Sequence, residues 1–281
     1  MGRVTAGDGT FIAYRVAGDT SAGGAPALLL IHGWAQSSKC WGDDLVSDLA
    51  RHRRVISMDL RGHGESGIPD AEHLTADDFA GDVAAVLDAT VQTGQPVVLL
   101  GWSYGGLVIG DYLSSRPSAN VAGLVLVGAI TSMGRGQAGG RVGPAMRAAL
   151  PDAYSDDPAT AIAAVSGFVD ALVPSGQGSL AQRLVGTSLT VPPHIRSGLF
   201  GRSAANDEVL AGSGLPLLVI HGTDDQVVDK SCAEHAAGLV PTASVRFWDG
   251  GGHAPFLEDP RAFADQVDEF LADMTLTGGV R

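Results

Sequence analysis

Short runs of apolar, β-favouring residues recur along the chain, separated by longer segments with helical spacing. The runs are Phe11 to Val16, Ala27 to Ile31, Val55 to Met58, Val97 to Leu100, Leu124 to Val127, Leu217 to Ile220 and Ser244 to Trp248. Most are apolar throughout instead of alternating, as strands covered on both faces must be. Between them, Ala80 to Leu87 sets Val83, Val86 and Leu87 on one helical face with acids on the other, and Phe263 to Leu271 repeats the pattern with Phe263, Val267, Phe270 and Leu271. This alternation predicts an α/β fold: a mostly parallel, twisted sheet of about eight strands flanked by helices.

The alternation stops between about Thr131 and Gly212, where glycines and prolines interrupt stretches such as Pro144 to Leu150 and Ala159 to Val173, and no strand pattern is visible. A helical cap inserted after the sixth strand is the economical reading, because ligands of open α/β sheets bind at the carboxyl edge that such an insertion would roof. The expected organisation is a core of residues 1–130 and 213–281 interrupted by a cap of residues 131–212. Within the cap, Arg135, Arg141, Arg147, Arg183, Arg196 and Arg202 balance Asp152, Asp156, Asp157, Asp170, Asp207 and Glu208, so the net charge of −13 lies outside it. A solvated surface is the simpler account of these arginines, with anion steering as the rival.

Composition narrows the choice of function. A chain this acidic, with no basic stripe, is ill suited to nucleic acid or anionic membranes, and its longest apolar stretches are too short to cross a bilayer. The start Met1-Gly2-Arg3-Val4-Thr5-Ala6 lacks an apolar signal core, so a cytoplasmic location is expected. Cys40 and Cys232 form no Cys-x-x-Cys pair and read as reduced structural thiols. With no H-E-x-x-H, Cys/His cluster or nucleotide fingerprint, neither a metal nor a cofactor is expected. The expected partner is a small molecule, and the protein a monomer or homodimer.

Candidate chemistry begins at Gly101-Trp102-Ser103-Tyr104-Gly105-Gly106, between the run Val97 to Leu100 and the helix-like stretch Leu107 to Ser114. A strand turning sharply into a helix exposes the serine Oγ above the sheet, and the Tyr104 amide at the helix start would face the same point. The context matters, since G-x-S-x-G alone arises readily in a chain with 39 glycines. A serine hydroxyl needs a base and an acid that fixes the base's tautomer. His253 follows the last predicted strand through Asp249-Gly250-Gly251-Gly252, a loop free enough to carry an imidazole back over the sheet edge. For the acid, Asp224 and Asp225 compete in His221-Gly222-Thr223-Asp224-Asp225; Asp225 is the choice, with Asp224 a turn residue. The order Ser103, Asp225, His253 then follows the chain order of one known triad arrangement. A second oxyanion donor is expected at the amide of Trp34 in His32-Gly33-Trp34, with His32 a structural histidine beneath the loop. Trp34, Trp102 and Tyr104 are the candidate substrate-lining residues, although tryptophans at strand ends are as often core.

These motifs, with DLRGHGES at 59 to 66, HGTDDQVV at 221 to 228 and GGHAPFLEDP at 251 to 260, stand in the order of the α/β-hydrolase fold superfamily, which the chain resembles over nearly all of its length outside the insertion. The resemblance implies a structural corner at DLRGHGES in which His63 is not catalytic. It disfavours haloalkane dehalogenases and epoxide hydrolases, which place aspartate where Ser103 stands. HGW with GWSYGG and GGHAPF is similar to the carboxylesterase branch that includes pimeloyl carrier-protein methyl ester esterases. The implied activity is hydrolysis of a carboxylic ester or lactone of a small to medium apolar substrate. The alternatives are cofactor-free perhydrolase (haloperoxidase-like) activity, carbon-carbon bond hydrolysis, or a ligand receptor on the same fold.

Overall fold

The computed structural model describes residues 1–18, 25–116 and 120–278. Strands β1 (Gly2–Thr5), β2 (Phe11–Ala17), β3 (Ala27–Ile31), β4 (Val55–Met58), β5 (Val97–Trp102), β6 (Val121–Val127), β9 (Leu217–Gly222) and β10 (Ser244–Trp248) form one eight-stranded sheet in the order β1-β2-β4-β3-β5-β6-β9-β10. The pairs β1–β2 and β2–β4 are antiparallel and the remaining pairs are parallel. Strands β3, β4, β5 and the inner part of β6 are buried on both faces, which is why their sequences lack alternation. The run predicted at Leu124 begins three residues earlier, and β5 and β9 extend two residues further than their apolar cores. β1 carries only a short half-exposed pattern, too weak to be read beforehand.

Helices α1 (Asp43–Leu49), α2 (Ala76–Thr90) and α3 (Tyr104–Ser115) follow β3, β4 and β5; α9 (Ser231–Leu239) follows β9, and α10 (Pro255–Glu258) and α11 (Pro260–Gly278) follow β10. The start of α2 is fixed by a capping box: the Thr75 hydroxyl accepts from the Asp78 amide at 3.2 Å, and the Asp78 carboxylate accepts from the Thr75 amide at 3.0 Å. Helix α1 packs on α11 and α2 on α3.

The segment between β6 and β9 holds β7 (Ser132–Met133), α4 (Pro144–Ala149), α5 (Pro158–Asp170), α6 (Gly178–Thr190), α7 (Pro193–Phe200), β8 (Ala204–Ala205) and α8 (Asp207–Gly212). It is mainly helical, but the expectation of no strand there fails: β7 and β8 pair antiparallel and tie its two ends together. Two-residue strands leave no periodic signal in a sequence. The expectation that its arginines are all solvated also fails, since Arg196 is 3% exposed and the Arg202 side chain 8%.

Register decides where the loops gather. Ile31 lies opposite both Met58 and Gly101, Trp102 opposite Val127, and Val127 opposite Ile220, so these strands end at one level. The chain leaves β3 toward β4 on one side while β5 lies on the other, and the crevice between β3 and β5 is the switch point at which open α/β sheets place ligands. The motif at 59 to 66 buttresses this edge. Asp59 accepts from the amides of Ser38 at 2.7 Å and Glu65 at 2.9 Å, while buried Arg61 grips both oxygens of Asp82 at 2.6 and 2.7 Å.

The turn from β5 into α3 is the tightest point. A Cβ on Gly105 would meet the Ile31 carbonyl oxygen at 2.3 Å, and one on Gly101 the Gly105 carbonyl at 2.6 Å. Gly105→Ala should therefore destabilise the protein by about 3 kcal/mol or more, because the obstruction is backbone that cannot rotate away. A lowered urea midpoint checks this, whereas an unchanged midpoint would mean that strand and helix can separate freely.

Candidate active site

Ser103 sits at φ 55°, ψ −117°, a conformation L-residues rarely adopt. It is held there from three directions: its amide donates to the Val127 carbonyl at 2.9 Å, and its carbonyl accepts from the amides of Gly106 at 3.0 Å and Ile130 at 3.2 Å. The Gly33 backbone lies against it, since a Cβ on Gly33 would meet Ser103 Cβ at 2.9 Å. This brings the loop carrying Trp34 alongside the serine. No acceptor is found for the Trp34 amide among the described residues, and the Tyr104 amide, at the first position of α3, has no intrahelical acceptor.

His253 is fixed by three different strands' ends. Its Nδ1 lies 2.8 Å from Asp225 Oδ2, its carbonyl accepts the Trp102 indole N–H at 3.0 Å, and its ring lies against the backbone of Gly128, where an added Cβ would come within 3.0 Å of Nδ1. Both side chains are buried. His253 Nε2 is buried and makes no hydrogen bond among the described residues, so a Ser103–His253 bond is not formed in this conformation. Such bonds commonly tighten only with substrate in place.

Of the two adjacent aspartates, it is Asp225 that reaches His253. Its Oδ1 accepts from the amides of Val227 at 2.7 Å and Val228 at 2.9 Å, leaving Oδ2 for His253. Burial pushes its carboxyl up, but the pull of His253, then His221 and the Val228 amide, outweighs this and holds it below the usual carboxylate range. Asp224 instead donates its backbone N–H to the Gly251 carbonyl at 2.9 Å.

His221 was not singled out from the sequence. Its Nε2 lies 3.2 Å from Asp225 Oδ2 and 3.1 Å from the Val228 carbonyl, so Asp225 Oδ2 faces two imidazoles. Two acceptors around one nitrogen make that nitrogen the N–H. The signal was its position four residues before Asp225, at the end of β9, but a histidine ending a buried strand has many uses. Arg202 was likewise missed: it donates to Asp111 at 2.6 Å and to the Tyr104 hydroxyl at 2.8 Å, tying the segment after α7 to α3.

His32 and His63 take the structural parts expected of them. His32 Nε2 accepts from the Leu60 amide at 3.0 Å, and its Nδ1 meets the Gly33 carbonyl at 2.7 Å. His63 accepts from the Ala35 amide at 3.3 Å and meets the Arg61 carbonyl at 2.8 Å.

Trp34, Ser103 and Tyr104 line a tight cavity of about 10 Å³ together with Ile130, Val142, Met146, Phe200, Val227 and Val228. Trp102 does not line it: it is 1% exposed and packs edge-on against Phe256, with a ring-centroid distance of 5.0 Å, as a core residue. Its place directly before the serine, on a buried strand, turns it under the sheet edge. A larger hollow of about 430 Å³ between the ends of α2 and α3, lined by Leu87, Asp88 and Arg116 among others, is remote from Ser103.

With this geometry in view, the comparisons with known proteins agree on its class. A profile of the alpha/beta hydrolase family matches residues 28–266. A non-heme chloroperoxidase of Streptomyces lividans is 30% identical over 96% of this chain and 99% of its own. A pimeloyl-[acyl-carrier protein] methyl ester esterase of Vibrio campbellii is 27% identical over 90% and 97%. Among solved structures, an esterase from Rhodococcus sp. ECU1013 is 48% identical, covers 97% of this chain and 98% of its own, and superposes with a TM-score of 0.93. The fold is thus that of an α/β hydrolase. The chain belongs to the alpha/beta hydrolase family. No helix among the described residues is long and apolar enough to cross a membrane.

Burial holds three histidines below their ordinary proton affinity: His32, His221 and His63, the last lowered to about 3. A neutral group in the folded state that takes a proton on unfolding withdraws stability as pH falls below the unfolded value of about 6.5. For His63 this continues down to about pH 3. The stability difference between wild type and His63→Gln should therefore shrink by about 1.4 kcal/mol per pH unit below 6.5. Urea denaturation at pH 7.5, 6 and 5 measures it, and a constant difference would show that His63 takes up a proton in the fold as readily as in the unfolded chain.

Proposed function

We propose that this protein is a serine hydrolase that cleaves a carboxylic ester or lactone of a small to medium apolar substrate through an acyl-enzyme. The observation that carries this reading is Ser103, forced to φ 55° at the switch point of the sheet, with the imidazole of His253, oriented by buried Asp225, packed against Gly128, the residue after the Val127 carbonyl that accepts the Ser103 amide. In the proposed mechanism Ser103 Oγ attacks the carbonyl carbon as His253 Nε2 takes its proton. The C–O bond to the leaving group then breaks, and the imidazolium returns that proton to the departing alkoxide. Water repeats the sequence and releases the acid. Asp225 Oδ2 holds Nδ1–H and offsets the positive charge on the ring. The amides of Trp34 and Tyr104 are the proposed oxyanion donors, supported by their having no other acceptor among the described residues.

The segment 131–212 is proposed as the cap. Val142, Met146 and Phe200 supply its share of the cavity wall, and Trp34 reaches up to it through its indole N–H, 3.0 Å from the Arg196 carbonyl. The esterase relatives support ester chemistry. Chloroperoxidase similarity favours a second reading, in which hydrogen peroxide replaces water as acyl acceptor and a peracid forms. The same residues would serve both reactions.

Ser103→Ala should leave a folded protein whose turnover of p-nitrophenyl esters falls about 10⁴-fold or more, and Asp225→Asn should approach that loss. Short acyl chains should be preferred, and Met146→Ala should move the optimum to longer ones. Assays across graded p-nitrophenyl esters and lactones, with peracid formation from acetate and peroxide in parallel, check these outcomes. Retention of more than a tenth of activity in Ser103→Ala would remove the serine mechanism.

A further inference from the structure

We propose that Arg196 is a recognition residue for a carboxylate carried by the substrate, so that the preferred substrates are esters or lactones bearing a free carboxylate away from the scissile bond. This rests on the hydrolase reading above and specifies its substrate class.

Helix α7 presents one buried face, made by Ile195, Arg196, Leu199 and partly buried Phe200, to the carboxyl edge of the sheet. Each of the four is placed by a contact. Ile195 sits over Gly62, where an added Cβ would strike it at 2.6 Å. The Leu199 carbonyl accepts the Tyr104 hydroxyl at 3.2 Å, and the Arg196 carbonyl accepts the Trp34 indole N–H. Phe200 packs on the Trp34 ring, with a ring-centroid distance of 5.6 Å, and lines the cavity at Ser103. Arg196 thus lies one helical turn from a cavity residue, on the same side of the helix.

Arg196 is 3% exposed, and its Nε and Nη1 are buried without a hydrogen bond among the described residues. No acidic side chain pairs with it there. Burial lowers its proton affinity, yet a guanidinium stays charged in proteins. The chain's other buried guanidiniums are treated differently. Arg61 grips Asp82 with two nitrogens, Arg202 is bound by Asp111 and Tyr104, and Arg53, though its Nε is also buried without a partner among the described residues, meets Asp268 at 2.5 Å and the Leu49 carbonyl at 3.1 Å; each has an acid, and Arg196 has none there. An uncompensated buried charge is costly to keep, and a planar fork of donors matches a carboxylate in two parallel hydrogen bonds. With a net charge of −13, the chain does not draw anions by its overall field, so recognition must come from a local contact of this kind.

The test compares p-nitrophenyl half-esters of succinate and glutarate with neutral p-nitrophenyl esters of matched length, on wild type, R196K and R196M. Wild type should favour the half-esters. R196M should lose tenfold or more in kcat/KM on them, mainly through KM, with neutral esters within twofold; R196K should fall between. R196M should melt no lower than wild type, since it removes an unpaired charge. An equal loss on both ester classes would make Arg196 structural and overturn the proposal. If R196M fails to fold, calorimetric titration of Ser103→Ala with glutarate decides, and absence of binding overturns it. Neutral esters cleaved without half-ester preference would sink this inference alone. Failure of wild type on every ester, neutral or charged, would sink the hydrolase reading.

Discussion

Ser103 adopts a backbone conformation that costs energy, about 1 to 3 kcal/mol for residues of this kind, and the surrounding chain leaves it no alternative. Gly105 rests on the Ile31 carbonyl, Gly101 on Gly105, and Val127 and Ile130 clasp the serine's amide and carbonyl. Every one of these contacts presupposes the parallel register of β3, β5 and β6. Sheet and corner are therefore one structure: the buried apolar strands provide the packing energy, and the corner spends a little of it to lift one hydroxyl above the edge.

Charge is handled by the same economy of placement. The carboxylate of Asp225 meets two amides on one oxygen and two imidazoles on the other, which keeps it ionised in a buried setting. Burial keeps His221, His32 and His63 from charging, so they act as fixed hydrogen-bonding groups around the edge. Arg61 and Arg202 show the complementary solution, a buried cation held by a buried carboxylate and further acceptors. Against those two, Arg196 stands out by what it lacks.

Much of the core was legible in the sequence because strands buried on both faces write themselves as unbroken apolar runs, and because glycines at 101, 105 and 106 serve close approach as well as turning. The runs at Ala27, Val55 and Ser244 match their strands end to end. What escaped is governed by contacts between distant parts of the chain. β1 is a short edge strand, and β7 and β8 have two residues each. Nothing local to Arg196 or Arg202 says that α7 and the turn after it lie face down on the sheet edge. Trp102 illustrates the reverse: a residue next to the serine in sequence points away from the cavity because strand neighbours alternate sides. His221 showed itself only when the loop to Asp225 folded back on the end of β9.

The candidate catalytic groups are dispersed along the chain, and synthesis delivers them in sequence. Ser103 is in place once β3, β5 and β6 have assembled, but the imidazole that would activate it follows β10, which can join only after β9 has been laid beside β6. Under the proposed serine mechanism, a growing polypeptide on the ribosome would carry an inert alcohol until its closing strand docks, and chemistry would switch on only as folding finishes.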